Sequence, residues 1–325
     1  MSEILRVEHL KKYFKTPRGI LHAVDDVSFS IDAGKTLGVV GESGCGKSTL
    51  GRTIIHLLEK TDGAITFSGR DISEVEKKDL KALHKDMQMI FQDPYSSLNP
   101  RMTVAQIISD PLKVYKLCGR HDLEERVLEL MDTVGLARRF KDAYPHELDG
   151  GRRQRIGIAR ALSLDPKFIV CDEPVSALDV SIQAQILNLL QDLQKERNLT
   201  YVFITHDMSV VKHISHDIAV MYLGCLVEKC ETKALFSKPL HPYTQALLGA
   251  IPRINSEGGA RRPIILRGEI SNPIDPKPGC RFAPRCPFAD ERCSREDPVL
   301  KEYTPGHFVA CHNLKQVEKK VYGDT

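Results

Sequence analysis

The sequence predicts an α/β fold with a mainly parallel sheet, and two observations carry this prediction. Short apolar runs such as Phe168–Cys171 and Tyr201–Thr205 alternate with longer amphipathic stretches such as Val180–Arg197. Apolar runs of this length are typical of strands buried on both faces, and their alternation with helices favours a parallel sheet. A glycine-rich segment also lies directly between a strand pattern and a helix pattern, as in the βα turns of many α/β proteins.

Composition limits the class of protein. The 325 residues are enough for two domains, and the 27% of charged residues is ordinary for a globular chain. Lys and Arg number 46 against 43 Asp and Glu, so we expect no nucleic-acid partner. No apolar run reaches the about 18 residues that span a bilayer, and Met1–Ile4 does not begin a signal peptide. We therefore expect a protein that is cytosolic, or peripheral through a protein partner, with cysteines that are reduced thiols or metal ligands rather than disulfides.

The first elements follow from the pattern along the chain. Residues 1–40 alternate short strand patterns with turns and end in the buried strand Thr36–Val40. Apolar residues at helical spacing predict a helix over Leu50–Leu58. A charged helical stretch, Glu74–Lys85, then leads into a second strand, Met87–Phe91.

The middle and the end of the chain have a different character. Residues 103–163 show helical periodicity, including a helix over Leu123–Val134. We interpret residues from about 95 to 165 as a helical subdomain inserted into a domain of residues 1–255. Repeated prolines break any regular pattern beyond that point, so residues 256–325 are expected to form an irregular C-terminal tail.

The most informative motif is the segment Gly41–Thr49, which reads GESGCGKST and fits the pattern G-x-x-x-x-G-K-S/T. Between a strand and a helix, this pattern binds the phosphates of a nucleoside triphosphate through backbone N–H groups and the helix N-terminus. Lys47 is expected to reach the β- and γ-phosphates, and the Ser48 hydroxyl to bind Mg²⁺. The residues expected to contact the nucleotide are Gly41, Ser43, Gly44, Cys45, Gly46, Lys47, Ser48 and Thr49.

Four polar residues each follow a predicted strand. We expect Asp172 to hold Mg²⁺ and Glu173 to act as general base for the attacking water. Gln92 is placed to contact Mg²⁺ or that water. His206 follows a strand expected to neighbour that of Asp172, so it is a candidate to contact the γ-phosphate. Taken singly, such residues are more often structural, and the phosphate loop is what favours the catalytic interpretation.

Together these motifs resemble the ATP-binding cassette (ABC) ATPases, over about residues 3–255. The marks of the resemblance are Gly41–Thr49, Gln92, Asp172, Glu173, Ser176–Asp179 as the aspartate loop, and His206. The resemblance implies an ABC-type fold, with an antiparallel edge portion beside the parallel sheet, and hydrolysis of ATP with Mg²⁺. It also implies an aromatic residue stacked on adenine, for which Phe14 is the candidate and Tyr13 the alternative. Both could equally be core residues.

Three stretches are similar, more specifically, to ATP-binding subunits of bacterial oligopeptide and dipeptide importers: Gly41–Arg52, Phe91–Pro100 and Leu240–Thr244. This implies a second ATP-binding subunit, two transmembrane permeases, an extracytoplasmic peptide-binding protein, and a place at the cytoplasmic face of the membrane. Residues near Gln92–Met102 would receive the coupling helix of a permease. Three alternatives stay open: import of another ligand such as nickel or a glutathione-like compound, a non-transport cassette protein, and a regulatory subunit with little hydrolysis.

The chain departs from the signature L-S-G-G-Q of this family, because Leu148–Arg152 reads LDGGR. In the family this motif faces the ATP held by the opposite subunit. The residues expected to face the partner's ATP are therefore Asp149, Gly150, Gly151 and Arg152. Asp149 lacks the hydroxyl donor and adds negative charge that Arg152 offsets in part, although Asp is a good helix N-cap. We predict a heterodimer with one competent and one impaired site.

Four cysteines of the tail have the spacing C-x5-C-x6-C-x17-C: Cys280, Cys286, Cys293 and Cys311. Zinc sites usually have closer pairs, and iron–sulfur clusters take four thiolates without needing regular structure. The spacing does not match the ferredoxin run. Some peptide-importer subunits that this chain resembles carry a 4Fe–4S cluster in such a tail, so the resemblance implies a cluster here. Zinc and four free thiols are the alternatives.

Overall fold

The computed structural model describes residues 2–251 and 273–322, so the predicted domain boundary at about residue 255 lies outside the described residues. The strands are β1 (Glu3–Thr16), β2 (Gly19–Asp32), β3 (Thr36–Val40), β4 (Asp62–Phe67), β5 (Arg70–Asp71), β6 (Met87–Ile90), β7 (Phe168–Asp172), β8 (Thr200–Thr205), β9 (Asp217–Tyr222), β10 (Cys225–Glu231), β11 (Lys301–Thr304) and β12 (His307–Val309). The helices are α1 (Lys47–Ile54), α2 (Lys77–Asp86), α3 (Pro94–Ser97), α4 (Val104–Val114), α5 (Arg120–Thr133), α6 (Gly150–Leu162), α7 (Val180–Arg197), α8 (Met208–Ile214), α9 (Thr232–Ser237), α10 (Pro242–Gly249) and α11 (Leu314–Tyr322).

The chain folds into two compact units, each built from separate segments. Of the described residues, the first unit contains residues 2, 32–35 and 74–204, and the second contains residues 3–31, 36–73, 205–251 and 273–322. The predicted domains 1–255 and 256–325 stay a prediction.

In the first unit, strands β6, β7 and β8 run parallel, with Met89 opposite Val170 and Val170 opposite Val202. Every residue of β7 and β8 is buried, which explains their continuous apolar sequences. Helices α3 to α6 pack against one another and form the helical interval that the sequence predicts. The predicted neighbourhood of the strands before Asp172 and His206 is confirmed, because β7 pairs with β8.

In the second unit, β3 pairs in parallel with β9, and β9, β10, β12 and β11 continue as antiparallel neighbours. A separate antiparallel sheet has the order β2-β1-β4-β5. The predicted α/β fold with parallel strands, an antiparallel portion and an inserted helical part is therefore confirmed. Helix α1 begins at Lys47 and ends at Ile54, earlier than the predicted span Leu50–Leu58.

The C-terminal tail contains more regular structure than the sequence predicts. Its cysteine segment is irregular, with single helical turns at Ala283–Arg285 and Arg292–Ser294. The hairpin of β11 and β12 extends the sheet of the second unit, and α11 follows it. The three residues of β12 are too few to give a strand signal, and the pairing with β10 is not local in sequence. Within residues 2–251 and 273–322, no helix is both long and apolar enough to cross a bilayer.

Candidate nucleotide-binding site

The phosphate loop connects β3 to α1 in the second unit, as its sequence predicts. Gly46 caps α1 with a φ of 102°, and a Cβ atom there would lie 1.9 Å from the carbonyl oxygen of Ala23. Glycine adopts this left-handed conformation without strain, and it has no Cβ atom that would collide with the Ala23 carbonyl. As in every α-helix, the first N–H groups of α1 point out of its N-terminus, and a helix N-terminus after a tight glycine loop is an arrangement that binds phosphate oxygens.

Lys47 is fixed to the backbone of its own loop. Its ammonium group donates hydrogen bonds to the carbonyl oxygens of Gly41 and Glu42, both at 2.8 Å, and the residue is buried. The thiol of Cys45 lies 3.7 Å from the same ammonium group, and burial raises the pKa of that thiol. The loop therefore holds one ordered positive charge beside the N-terminus of α1, where Ser48 follows directly.

Three of the predicted catalytic and metal-binding residues lie in the first unit. Asp172 ends β7 and is fully buried. Glu173 follows in the left-handed region, with a φ of 45°, and its N–H donates to the carbonyl of Ile204 at 3.0 Å. Gln92 donates from Nε2 to the Glu173 carboxylate at 2.9 Å. The structure thus brings the side chains of Gln92 and Glu173 together. The left-handed backbone of Glu173 also fixes the position of its Cβ atom.

His206 lies in the second unit, immediately after β8, and its side chain is exposed. The next residue, Asp207, caps α8 by accepting from the N–H groups of Ser209 and Val210. The position at a strand end agrees with the sequence analysis. The predicted contact of His206 with a γ-phosphate stays a prediction.

Asp149 is the N-cap of α6, and capping is one of the two roles that the sequence predicts for this residue. Its Oδ1 accepts from the Arg152 N–H at 2.8 Å, and its Oδ2 forms an ion pair with the Arg152 guanidinium at 2.8 Å. Arg152 therefore compensates the carboxylate charge directly. The glycines between them allow close packing, because a Cβ on Gly151 would lie 2.6 Å from the side chain of Ile182.

The predicted aspartate loop is held by the helix that follows it. Asp179 caps α7 by accepting from the N–H of Ile182 at 3.0 Å. Gln183, one turn into α7, donates from Nε2 to the carbonyl groups of Val175 and Leu178, both at 3.0 Å. These contacts order the backbone from Glu173 to α7. Gln183 gives no signal of this role in the sequence.

The two adenine-stacking candidates differ in their surroundings. The Tyr13 ring stacks on His22 at 4.0 Å between centroids, and its hydroxyl donates to Asp25. Burial and this hydrogen bond raise the pKa of Tyr13 well above its usual value. Phe14 is half-buried, with the Lys12 ammonium 4.8 Å from its ring centre. Tyr13 is therefore engaged in a polar network, and the stacking of Phe14 or Tyr13 on adenine stays a prediction.

The four cysteines of the tail lie within electrostatic range of one another. Burial is the main reason why the pKa of Cys286 rises to about 11 and that of Cys311 to about 12. Among the residues that the structure describes, no group of three or more His, Cys, Asp or Glu side chains is arranged to hold a metal ion. The side chains as placed therefore do not form a ready cluster or zinc site.

Three features together define an ATP-hydrolysing nucleotide-binding protein. They are the phosphate loop between a parallel strand and a helix, the strand that ends in Asp172 and is followed by Glu173, and the inserted helical part. The chain belongs to the ABC transporter family. The family model described as ABC transporter matches residues 24–176, and that described as Oligopeptide/dipeptide transporter, C-terminal region, matches residues 227–293.

Curated relatives match nearly the whole chain. The oligopeptide transport ATP-binding protein AppF of Bacillus subtilis is 51% identical over 318 residues, covering 95% of this chain and 97% of AppF. The dipeptide transport ATP-binding protein DppF of Haemophilus influenzae is 47% identical, covering 96% of this chain and 97% of DppF. Among solved structures, the ATP-binding cassette MJ0796 bound to ADP and Pi is similar with a TM-score of 0.65 and 28% identity, over 70% of this chain and 99% of MJ0796.

Proposed function

We propose that this protein is the ATP-binding subunit of a bacterial peptide importer, and that its ATP hydrolysis drives two membrane permeases. The observation that carries this proposal is a match to the oligopeptide/dipeptide transporter C-terminal region in the same chain as a formed phosphate loop. The names of the relatives support a peptide substrate. Such a subunit lies at the cytoplasmic face of the membrane and receives its peptide through a separate extracytoplasmic binding protein.

Within this proposal the residues of the chain divide the work of hydrolysis. Lys47 and the N–H groups of the loop would hold the β- and γ-phosphates, and Ser48 and Asp172 would hold Mg²⁺ through oxygen. Mg²⁺ bound with a nucleotide needs only one or two protein ligands, and it neutralises charge that develops on the phosphates. Glu173 accepts a proton from the attacking water, and the amide of Gln92 orients the Glu173 carboxylate.

We also propose that the two ATP sites of the importer are unequal. The Asp149 carboxylate replaces a hydroxyl donor in the motif that would face the partner's ATP. Its ion pair with Arg152 offsets the charge but does not supply the missing donor. The site formed around this chain's own phosphate loop would then be the competent one, and a heterodimer would contain one working and one impaired site.

The ATPase activity of the assembled importer tests this asymmetry. Glu173→Gln is expected to remove most of the activity, whereas the equivalent substitution in the partner ATPase subunit removes little. Asp149→Ser, which keeps an N-cap residue, is expected to increase turnover in the partner's site only. Equal losses from the two glutamine substitutions would contradict unequal sites.

The identity of the substrate is tested by uptake in membrane vesicles. A labelled oligopeptide is expected to accumulate with ATP and not with Lys47→Ala, and excess unlabelled peptide should compete. Competition by nickel or glutathione with no effect of peptide would instead favour one of those ligands. Binding of DNA or ribosomes without any uptake would favour the non-transport alternative.

We further propose that the four tail cysteines bind a 4Fe–4S cluster, with zinc as the alternative. Their mutual proximity supports this, but their side chains would have to reorient and lose their protons to become ligands. The test is iron, sulfide and zinc analysis, with the visible absorbance, of protein purified without oxygen. Four free thiols and no metal would contradict the proposal.

A further inference from the structure

The phosphate loop has a charge partner from the C-terminal part of the chain. The Arg285 guanidinium donates from Nη1 and Nη2 to the two carboxylate oxygens of Glu42, at 2.8 and 3.0 Å. The two residues are 243 positions apart in the sequence, yet the side chain of Arg285 is only 7% exposed and that of Glu42 22%. A two-point contact with so little exposure fixes the position of the Glu42 carboxylate.

Glu42 also connects this ion pair to the lysine of the loop. Its main-chain carbonyl accepts one of the two hydrogen bonds that hold the Lys47 ammonium, at 2.8 Å. The carboxylate of Glu42 places a negative charge in a loop that must bind a triphosphate. Like charges at short range repel strongly where water is partly excluded, so an unpaired Glu42 would oppose phosphate binding. Arg285 neutralises this charge.

A buried aromatic group completes the support of Glu42. The Glu42 N–H donates to the Tyr243 hydroxyl at 2.8 Å, and Tyr243 is fully buried. The Tyr243 ring packs against the edge of Tyr222 at 4.7 Å between centroids, and Arg285 Nη1 also donates to the Tyr222 hydroxyl, at 3.4 Å. Glu42 is thus held through its N–H, its carbonyl and its carboxylate at the same time.

We propose that Arg285 is a positioning residue of the ATP site. Arg285 neutralises the Glu42 carboxylate and fixes the backbone that carries Lys47. Arg285 lies in the cysteine segment, between Cys280 and Cys286. Through Arg285, this segment sets the affinity of the loop for the phosphates of ATP. This inference rests on the proposed binding of ATP by the phosphate loop.

The test is titration of the full chain with Mg²⁺ and a fluorescent ATP analogue. Arg285→Gln is expected to weaken binding by about tenfold or more, equivalent to about 1.4 kcal/mol. The double variant Glu42→Gln/Arg285→Gln should recover most of the loss, because it no longer contains an uncompensated carboxylate beside the phosphates. The weakening by Arg285→Gln should shrink at high salt, because it comes from an uncompensated charge.

A matched control is Arg292→Gln in the same segment, because Arg292 pairs with Glu296 on the exposed surface. It should leave binding unchanged. Arg285→Lys keeps the charge but not the two-point contact, so it should give an intermediate affinity, and it replaces the glutamine variant if that variant does not fold.

The inference is overturned if the Arg285 variants bind like the unchanged protein, or if Glu42→Gln fails to rescue a folded Arg285→Gln. No binding by the unchanged protein itself would instead reject the proposed function on which the inference rests.

Discussion

At the scale of single residues, backbone geometry explains why certain positions of the site have their particular side chains. Gly46 needs both a left-handed φ and the space of a missing Cβ, whereas a Cβ on Gly44, which has a φ of 76°, would meet nothing within 4 Å. Glu173 adopts the left-handed region without being glycine. Such strain persists where the surroundings determine the conformation, and for Glu173 these surroundings include Ile204 and Gln92.

Alanine should destabilise the protein to different extents at the two loop glycines, Gly44 and Gly46. Gly46→Ala should lower the free energy of unfolding by roughly 1–3 kcal/mol more than Gly44→Ala, because left-handed strain is common to both and the close contact with the Ala23 carbonyl is not. Denaturant unfolding of the nucleotide-free protein measures both values. Equal losses of unfolding free energy in the two variants would show that the Ala23 carbonyl is not what restricts position 46 to glycine.

The buried ring of His241 should make the stability of the protein depend on pH. Its ring accepts from the Tyr243 N–H at 3.1 Å, and burial lowers its pKa to about 4. The unfolded chain then binds more protons than the folded chain between pH 4 and about 6.5, so stability falls as the pH is lowered through this window. The loss from His241 between pH 7 and pH 5 should be about 2 kcal/mol.

His241→Asn is the matched variant for this prediction, because an asparagine oxygen can cap α10 but does not titrate. The difference in unfolding free energy between pH 7 and pH 5 should be smaller in this variant by the amount assigned to His241. An unchanged difference would mean that other groups cause the pH dependence.

At the scale of elements, capping side chains decide where the helices of the site begin. Asp149, Asp179 and Asp207 each accept from backbone N–H groups at the start of α6, α7 and α8. Two of these caps, Asp149 and Asp179, also belong to motifs by which the sequence resembles the ABC ATPases. In Asp149 the structural and functional roles coincide, since the same carboxylate caps α6 and stands in the family's signature motif.

This double role of Asp149 can be separated by substitution. Asp149→Ala should lower the free energy of unfolding by about 1 kcal/mol, and Asp149→Ser by much less, because serine retains the cap. Chemical denaturation of the isolated chain measures this effect without any nucleotide. A serine variant as destabilised as the alanine variant would show that the Arg152 ion pair, and not the cap, stabilises α6.

At the scale of the second unit, one buried carboxylate joins three segments of the chain. Glu228 of β10 is fully buried and accepts from the N–H groups of Leu240 and His241, at 2.7 and 3.0 Å. His307 of β12 donates from Nε2 to the same carboxylate at 2.7 Å. Glu228 therefore links the C-terminal hairpin to the start of α10, the helix that carries Tyr243 to the phosphate loop.

Glu228→Ala should lower the free energy of unfolding by at least about 3 kcal/mol, because three buried donors lose their acceptor. Hydrogen exchange should accelerate together at the start of α10 and in β12. The exposed Glu196→Ala serves as the control and should change stability by no more than about 0.5 kcal/mol. Faster exchange in only one of the two segments would contradict a shared anchor.

Features that depend on local pattern could be predicted from the amino-acid sequence. The phosphate loop, the apolar strands and the two acids at the end of β7 could be predicted because glycine geometry, periodicity and strand ends depend on a few neighbouring residues. The pairing of Arg285 with Glu42, the anchor at Glu228 and the strand β12 became visible only in the folded chain. Their partners are far apart in the chain, and a charge or a three-residue strand gives no sign of what it will meet until folding brings the segments together.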